Sequence, residues 1–353
     1  MSFAGDWWSL GVLVGTMVVS LAISAAATAL LSAGAIARLH VLDHPNHRSL
    51  HERPVPRSGG LAILASLVSF LAAFFLAGGL PPHTLGLGVA VAFVAAVSFL
   101  DDRFDVPQAY RLLSQVVAAA ILITAGLSWS VMDLPGLQWH WPTPLALLAT
   151  ILYVVWMTNL YNFMDGINGL AGGMAVFGFA TLGLLGWQAG DLGFALTATA
   201  ITAAAAGFLT GNFPSARIFL GDVGSSTLGL LAAALALWGA SAGHFPLWVA
   251  WLAFSPFIVD ATWTLFARLS RGEAVWRPHR SHHYQRLVLA GWSHSRTTLW
   301  AYVLMVAAGA SAVAAPGLLQ AEQWILISLW GLIYGLVHLK VRGLERDAIH
   351  DSA

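Results

Sequence analysis

The chain contains no cysteine among its 353 residues, and only 9% of its residues are charged. The absence of cysteine excludes disulfides, thiolate nucleophiles and cysteine-ligated metal sites. Soluble domains carry about 25% charged residues, so a chain this poor in charge cannot cover a water-facing surface. Because 58% of the residues are hydrophobic and the mean hydropathy is +0.75, we predict an all-α protein that crosses a membrane many times.

Eleven apolar stretches are long enough to cross a bilayer, which takes roughly 17–25 residues. They lie near residues 8–33, 60–80, 84–100, 110–128, 143–161, 170–188, 192–211, 224–242, 246–267, 297–316 and 322–340. The first has no basic residue before it, which argues against a signal peptide. We find no internal repeat and no soluble domain, and we treat residues 1–353 as one integral membrane domain.

The basic residues predict the orientation. When the connections are assigned alternately to two sides, all 16 Lys and Arg fall on the same side, in 34–59, 101–111, the loop at Arg217, 268–296 and the tail from Lys340. By the positive-inside rule this side is cytoplasmic, with the N-terminus outside and the C-terminus inside. A wrong number of spans would have scattered these residues over both sides.

Polar side chains collect in five segments, all on the predicted cytoplasmic side. The segments are DHPNHRSLHERPVPRSGG at 43–60, DDRFD at 101–105, NLYNFMDGING at 159–169, GNFPSARIFLGDVGSS at 211–226 and RPHRSHHYQR at 277–286. Charged groups near hydrocarbon are costly unless they are paired, bound to a metal or facing a wet cavity. The segments therefore predict one site assembled from distant parts of the chain.

The segment DDRFD would gather Asp101, Asp102 and Asp105 on one face of a helical turn. Carboxylates placed together attract a hard cation such as Mg²⁺. The alternative is an ordinary charged helix end in which Arg103 is the partner. The glycines and serines around Asp222 could likewise form a phosphate-binding turn at a helix N-terminus, with the aspartate completing a Mg²⁺ site, or simply a capped turn between two helices.

The amides of the 159–169 segment repeat every three residues, at Asn159, Asn162 and Asn168, with Asp165 in the same register. Amides both donate and accept hydrogen bonds, as recognition of a nucleobase or a sugar requires. The alternative is a polar helix C-terminus ended by glycine.

The histidines of the 277–286 segment allow two interpretations. His279, His282 and His283 could ligate zinc, but their spacing matches no common zinc pattern and cysteine is absent. The flanking Arg280 and Arg286 favour an anion such as a diphosphate. Positive-inside signalling could account for the arginines but leaves the paired histidines unexplained.

Taken in order, these segments resemble the polyprenyl-phosphate N-acetylhexosamine-1-phosphate transferase family, and the 43–60 segment is most similar to its O-antigen-initiating branch. The resemblance implies several roles. Asp101 and Asp102 would be the paired catalytic aspartates, with Asp102 also near the metal, and Asp222 would bind Mg²⁺, or Mn²⁺ in its place. The nucleotide-sugar site would comprise Asn162, Asp165, Asn168, Asn212 and Phe219, with Phe219 stacking on uracil. His282 and His283 would complete the catalytic loop, next to Arg280 and Arg286.

Two positions depart from the family's pattern. Asn168 stands where a second aspartate is frequent, and Arg280 stands where some relatives have another histidine. The resemblance implies transfer of N-acetylhexosamine 1-phosphate from a UDP-sugar to undecaprenyl phosphate, which yields UMP, at the cytoplasmic face of a bacterial inner membrane. The sugar (GlcNAc, QuiNAc or FucNAc), the polysaccharide pathway, the choice between a direct and a covalent route, and whether the protein forms a homodimer are left open.

Two other functions compete with the transferase. An intramembrane prenyltransferase would use DDRFD for a diphosphate, but it would need a second aspartate-rich motif, which the chain lacks. An ion-coupled transporter would place ionisable groups near the membrane midplane and often contains internal repeats. We expect contacts with membrane lipids and no nucleic-acid partner.

Overall fold

The computed structural model describes residues 3–36, 39, 41–43, 54–77, 79, 83–274 and 279–351. Parts of the 43–60 and 277–286 segments therefore lie outside the described residues. The described chain forms thirteen α-helices and two short antiparallel strand pairs. The helices are α1 Phe3–Ser32, α2 Gly59–Leu76, α3 Thr84–Phe104, α4 Gln108–Thr124, α5 Thr143–Phe163, α6 Leu170–Gln188, α7 Leu192–Asn212, α8 Gly221–Ser241, α9 Leu247–Ala253, α10 Ser255–Ser270, α11 His283–Leu289, α12 His294–Ala314 and α13 Gln320–Asp351.

All eleven predicted spans coincide with helices, so the prediction of an all-α polytopic membrane protein is confirmed. Nine of the helices within the described ranges are long and apolar enough to cross a membrane. The two other predicted spans differ. Helix α4 is a shorter apolar helix, and the 246–267 stretch is divided into α9 and α10, which meet at an angle of 87°. Pro256 in the first turn of α10 explains the break, because proline cannot continue the helix that precedes it.

Helix α8 lies at the centre of the bundle. Its membrane-spanning window is 94% buried, compared with 11% for the windows of α1 and α13. The sequence of α8 is rich in Gly, Ala and Ser, and small residues let neighbouring helices approach closely in a membrane. The polar N-terminus of α8 is thereby held inside the protein, with α2, α3 and α5 packed around it.

The start of α2 is joined to the segment that precedes α8. The amides of Gly59 and Gly60 donate to the carbonyl oxygens of Phe219 and Leu220, at 2.9 and 2.8 Å. A Cβ on Gly60 would lie 2.2 Å from the backbone nitrogen of Gly224. Glycine is therefore required for this approach, which brings the residues just before α2 beside the N-terminus of α8.

The two strand pairs are short. Strands β1 (Leu42–Asp43) and β2 (Val55–Pro56) pair before α2. Strands β3 (Val131–Leu134) and β4 (Leu137–His140) form a hairpin in the connection between α4 and α5. The hairpin lies at the opposite end of the bundle from the N-terminus of α8.

A candidate active site at the N-terminus of helix α8

Asp101 lies in the last turn of α3 and is only 5% exposed. Helix α3 ends at Phe104 and is capped by Asp105, whose φ of 53° is left-handed. The chain then turns back, so that the Val106 amide donates to Oδ1 of Asp101 at 2.8 Å. The other carboxylate oxygen, Oδ2, accepts from Nη1 of Arg111 at 2.9 Å. The Asp101 carboxylate is thus held by one backbone amide and one guanidinium.

Asp102 connects α3 to the N-terminus of α8. Its two carboxylate oxygens accept the amides of Asp222 and Val223, each at 3.2 Å. The first amides of a helix have no partner within the helix and carry a partial positive charge, so a carboxylate from another helix caps them. Nε of Arg57 lies 3.5 Å from Oδ1 of Asp102, and its Nη2 donates to the Asp102 carbonyl oxygen. Gly221 lies close to both Arg57 and Asp102, and its φ of 73° is in the left-handed region that favours glycine.

The Asp222 carboxylate faces the same space as Asp101. Its Oδ2 lies 3.6 Å from Nη1 of Arg111, the guanidinium nitrogen that also contacts Asp101. Its Oδ1 accepts from Nδ2 of Asn162 at 2.8 Å, and the same nitrogen reaches Oγ of Ser225 at 2.9 Å. Helices α3, α4, α5 and α8 therefore each contribute a side chain to one polar centre.

Asp165 adds a fourth carboxylate. It follows α5 in the turn before α6, outside both spans. Burial, together with the charges of Asp222 and Asp102, raises the pKa of Asp165 to about 8. We call Asp101, Asp102, Asp165 and Asp222 the carboxylate cluster. Among the described residues, two guanidinium groups, those of Arg57 and Arg111, contact members of the cluster, so negative charge exceeds positive charge among these six groups when all four carboxyl groups are ionised.

The predicted substrate residues Asn168 and Asn212 lie against the backbone. Oδ1 of Asn212 accepts from the Gly169 amide at 2.7 Å, and its Nδ2 donates to the Ile218 carbonyl at 2.8 Å. Asn168 donates to the Pro214 carbonyl at 3.3 Å. These amides join the 164–169 turn to the 213–220 loop. The half-buried Phe219 follows Ile218 in that loop.

His282 lies at the side of the site formed by the end of α5. Its ring is stacked on Phe163, with centroids 6.3 Å apart and an interplanar angle of 26°, and on Tyr284, at 5.9 Å and 10°. The Tyr284 hydroxyl donates to the Phe163 carbonyl at 3.0 Å. His282 is 3% exposed, and its Nδ1 lies 3.6 Å from Oδ1 of Asp260. The structure thus connects the histidine segment to the end of α5.

His283 contacts other protein side chains through both ring nitrogens. Its backbone amide and its Nδ1 lie 2.9 and 2.8 Å from Oδ1 of Asp260, and its Nε2 lies 2.9 Å from Nδ1 of His338. An ionised carboxylate only accepts, so Nδ1 of His283 carries a proton. These contacts link α10, α11 and α13.

The remaining predicted residues, Arg280 and Arg286, line a cavity between α10 and α13. No member of the carboxylate cluster is among the residues that line this cavity. Arg286 forms a two-point ion pair with Glu345, with Nε 2.5 Å from Oε1 and Nη2 against Oε2. Within the described ranges, no group of three His, Asp or Glu side chains is arranged to hold a metal ion.

Four residues of the site were not singled out from the sequence. Arg57 and Arg111 were counted only as markers of orientation. Asp260 and His338 lie inside predicted spans, where an ionisable residue is costly and usually functional. That cost was the signal that could have identified them.

The chain is similar in sequence to known membrane transferases. The family model described as Glycosyl transferase family 4 matches residues 84–240, which include the whole carboxylate cluster. A probable undecaprenyl-phosphate N-acetylglucosaminyl 1-phosphate transferase of Bacillus subtilis is 30% identical over 272 residues, covering 76% of this chain and 75% of the relative. A decaprenyl-phosphate N-acetylglucosaminephosphotransferase of Mycobacterium leprae is 32% identical over 311 residues, covering 78% and 77%. An undecaprenyl-phosphate alpha-N-acetylglucosaminyl 1-phosphate transferase of Yersinia pestis is 27% identical, covering 84% and 83%.

The chain belongs to glycosyl transferase family 4, the polyprenyl-phosphate N-acetylhexosamine-1-phosphate transferases. The predicted family resemblance is therefore confirmed. The assignment also decides between the three functions that the sequence left open, in favour of a membrane transferase and against the prenyltransferase and the transporter.

Proposed function

We propose that this protein transfers N-acetylhexosamine 1-phosphate from a UDP-sugar to undecaprenyl phosphate, giving undecaprenyl-diphospho-sugar and UMP. The observation that carries the proposal is the carboxylate cluster, in which α3, the 164–169 turn and the N-terminus of α8 bring four carboxyl groups together. The names of the three relatives all specify N-acetylglucosamine, so UDP-GlcNAc is the first donor to test. The product would start the synthesis of O-antigen or another envelope polysaccharide.

The carboxylate oxygens of the cluster are suitable ligands for Mg²⁺. Asp222 and Asp101 present carboxylate oxygens to the same space, where one guanidinium now lies between them. Mg²⁺ prefers oxygen ligands and is usually held by one or two carboxylates together with substrate phosphates and water, so a site with three or more protein ligands is not required. Asp222 would hold the ion, with Mn²⁺ as the alternative. When bound, it would neutralise charge on the transferring phosphoryl group.

The two consecutive aspartates have different surroundings. Asp102 is occupied by the α8 amides and by Arg57, so its contribution to the metal site is to fix the orientation of Asp222. Asp101 lies beside Arg111, and this guanidinium could also bind the phosphate of the acceptor. An aspartate of the pair would either take the proton from the acceptor phosphate or attack the donor as a nucleophile, with UMP as the leaving group.

The uridine end of the donor would lie near the 164–169 turn and the 213–220 loop. Asn212 and Asn168 hold these two segments together, so their effect on substrate is through the position of the loop. Phe219 offers a half-buried ring in that loop for stacking on the base. Asn162 donates to Asp222, and the charge of Asp222 acts on Asp165, so both residues would lie near the diphosphate of the donor.

His282 and His283 would have different roles. Both nitrogens of His283 are engaged by Asp260 and His338, so we propose that His283 is a positioning residue. His282 would be the histidine that contacts the donor diphosphate, because its ring is packed against Phe163 at the end of α5.

The proposed reaction is tested with the purified full-length protein, undecaprenyl phosphate and a panel of UDP-sugars. We expect UMP and lipid-linked sugar to form in equal amounts. EDTA should abolish the reaction, because the donor diphosphate then has no divalent counter-ion, and Mg²⁺ or Mn²⁺ should restore it without added zinc. Uridine-free sugar phosphates serve as the control. A panel in which no UDP-sugar yields UMP in a folded preparation would contradict the proposal.

The cytoplasmic location of the site is tested with single cysteines, since the chain has none of its own. Ser130, Ser241 and Ser215 are exposed. We expect Ser130→Cys and Ser241→Cys to react with a membrane-impermeant maleimide in intact cells, because they lie at the predicted outer ends of the helices. Ser215→Cys, at the end that bears the carboxylate cluster, should react only after permeabilisation. Labelling of Ser215→Cys in intact cells would place the site outside.

A further inference from the structure

A second polar feature lies apart from the carboxylate cluster. It is a cavity of about 500 Å³ bounded by the end of α10, residues 280–286 and the last turns of α13. Its lining residues include Arg271, Arg280, Arg286 and Arg342. None of its lining residues belongs to the carboxylate cluster, so a group bound here does not contact the proposed reaction centre.

The cavity carries an excess of positive charge. Glu345 is the acidic residue among those that line it, and it pairs with Arg286. Arg271 pairs with Glu273 at 2.7 Å, a carboxylate that Arg268 shares at 2.8 Å. Arg280 and Arg342 have no carboxylate partner in the part of the chain that the structure describes. Two guanidinium groups are therefore available to an anion.

The helices on either side of the cavity expose apolar side chains. On α10, Trp263, Phe266 and Leu269 are 50%, 62% and 58% exposed. On α13, the exposed residues are Leu332, Leu336 and Leu339, at 60%, 56% and 63%. Both helices belong to candidate membrane spans, so these surfaces face lipid. Trp263 also lines the cavity, and tryptophan is enriched where lipid chains meet headgroups.

We propose that this cavity binds the headgroup of an anionic glycerophospholipid, with the phosphate at Arg280 and Arg342 and the acyl chains along α10 and α13. The guanidinium pair supplies bidentate donors for a phosphate, and the flanking apolar faces supply a surface that a free ion would not use. The acceptor of the transfer reaction is a different phosphate lipid, and its phosphate must reach the carboxylate cluster, which does not line this cavity.

A lipid headgroup bound in this cavity would also affect the 279–289 segment, which carries His282. A lipid held by Arg280 and Arg342 joins the 279–289 segment to α13, alongside the Arg286–Glu345 and His283–His338 contacts. Anionic lipid therefore stabilises the segment that carries His282. This consequence rests on the proposed function, whereas the binding of lipid does not.

Native mass spectrometry of the full-length protein in a zwitterionic detergent tests the binding. Phosphatidylglycerol, phosphatidylcholine and undecaprenyl phosphate are added separately, and the wild type is compared with Arg342→Gln and Arg346→Gln. Arg346 is one turn further along α13, is also exposed, and is not part of the cavity. We expect wild type to bind phosphatidylglycerol in preference to phosphatidylcholine. Arg342→Gln should weaken this binding about fivefold, the effect of one interfacial arginine, and Arg346→Gln should leave it unchanged.

Three results would overturn the proposal. Equal weakening by Arg342→Gln and Arg346→Gln would mean diffuse attraction to the membrane surface. Displacement of phosphatidylglycerol by undecaprenyl phosphate, with loss of both in Arg342→Gln, would assign the cavity to the acceptor. Displacement by millimolar inorganic phosphate alone would mean that the cavity binds only an ion. Failure of the transferase assay leaves the lipid measurement intact, so the two proposals fail separately.

Discussion

Asp222→Asn is expected to lower kcat by on the order of a hundredfold to a thousandfold, the size of effect seen when one preorganised electrostatic contact to the reacting group is removed. Asparagine keeps the shape, and its side-chain oxygen can still accept from Nδ2 of Asn162. It removes the negative charge that a hard cation requires. The measurement is UMP release by the purified variant across a range of Mg²⁺ concentrations.

The control for this variant is Asp133→Asn. Asp133 is an aspartate of the β3–β4 hairpin, at the far end of the bundle, so the same chemical change there should leave turnover at the wild-type level. The two variants should insert into the membrane and unfold at similar temperatures. Wild-type activity of Asp222→Asn at low Mg²⁺ would refute the metal assignment.

His282→Ala is expected to lower kcat/KM for the UDP-sugar about 10- to 100-fold, which corresponds to the loss of a hydrogen bond of about 1.5–3 kcal/mol to a charged group. The affinity for the lipid acceptor should change little, because the ring packs at the donor side of the site against Phe163. Steady-state kinetics with each substrate varied in turn measure the difference. His140→Ala, in the exposed strand β4, is the control.

Variants of the neighbouring His283 distinguish a residue that contacts the donor from one that positions other side chains. His283→Ala should also impair donor use, because it removes the link between Asp260 and His338. His283→Asn should recover much of the activity, since its amide nitrogen can take the place of Nδ1 and donate to Asp260. His282→Asn should not recover. Stoichiometric zinc in the purified enzyme that disappears in either alanine variant would defeat the assignment of His282 to an anion.

The sequence predicted the helical spans, because hydrophobic length is a property of the chain itself. It also predicted one site from five polar segments; in the structure three of them, 101–105, 159–169 and 211–226, meet, whereas Arg280 and Arg286 line a separate cavity. We predicted 246–267 as one span, although Pro256 could have indicated the break between α9 and α10; the angle of the break depends on packing. The different environments of Asp101 and Asp102 could not be predicted. Consecutive helical residues point about 100° apart, and only tertiary packing decides which one meets the amides of α8.

The side chains that pair with the candidate catalytic residues were harder to identify from the sequence than the candidate residues themselves. Arg57 and Arg111 have the same sequence context as any interfacial arginine, and their contacts with Asp102 and Asp101 join residues up to 45 positions apart. The ion pair of Arg286 with Glu345 spans 59 positions. A long flexible side chain near a helix end can reach several neighbours, so sequence alone does not select the partner.

The burial of α8 divides the site into two regions of different local stability. Proteins open first where few apolar contacts must be broken, and last in the core. The amides that hold Asp102 belong to the most buried helix, so the carboxylate cluster comes apart only when the bundle itself unfolds. Helix α11, by contrast, buries only Tyr284 among its described residues and packs on the peripheral α13. The segment that carries His282 can therefore separate and close again while the carboxylates stay in place, which would give the proposed nucleotide sugar a path to enter and UMP a path to leave.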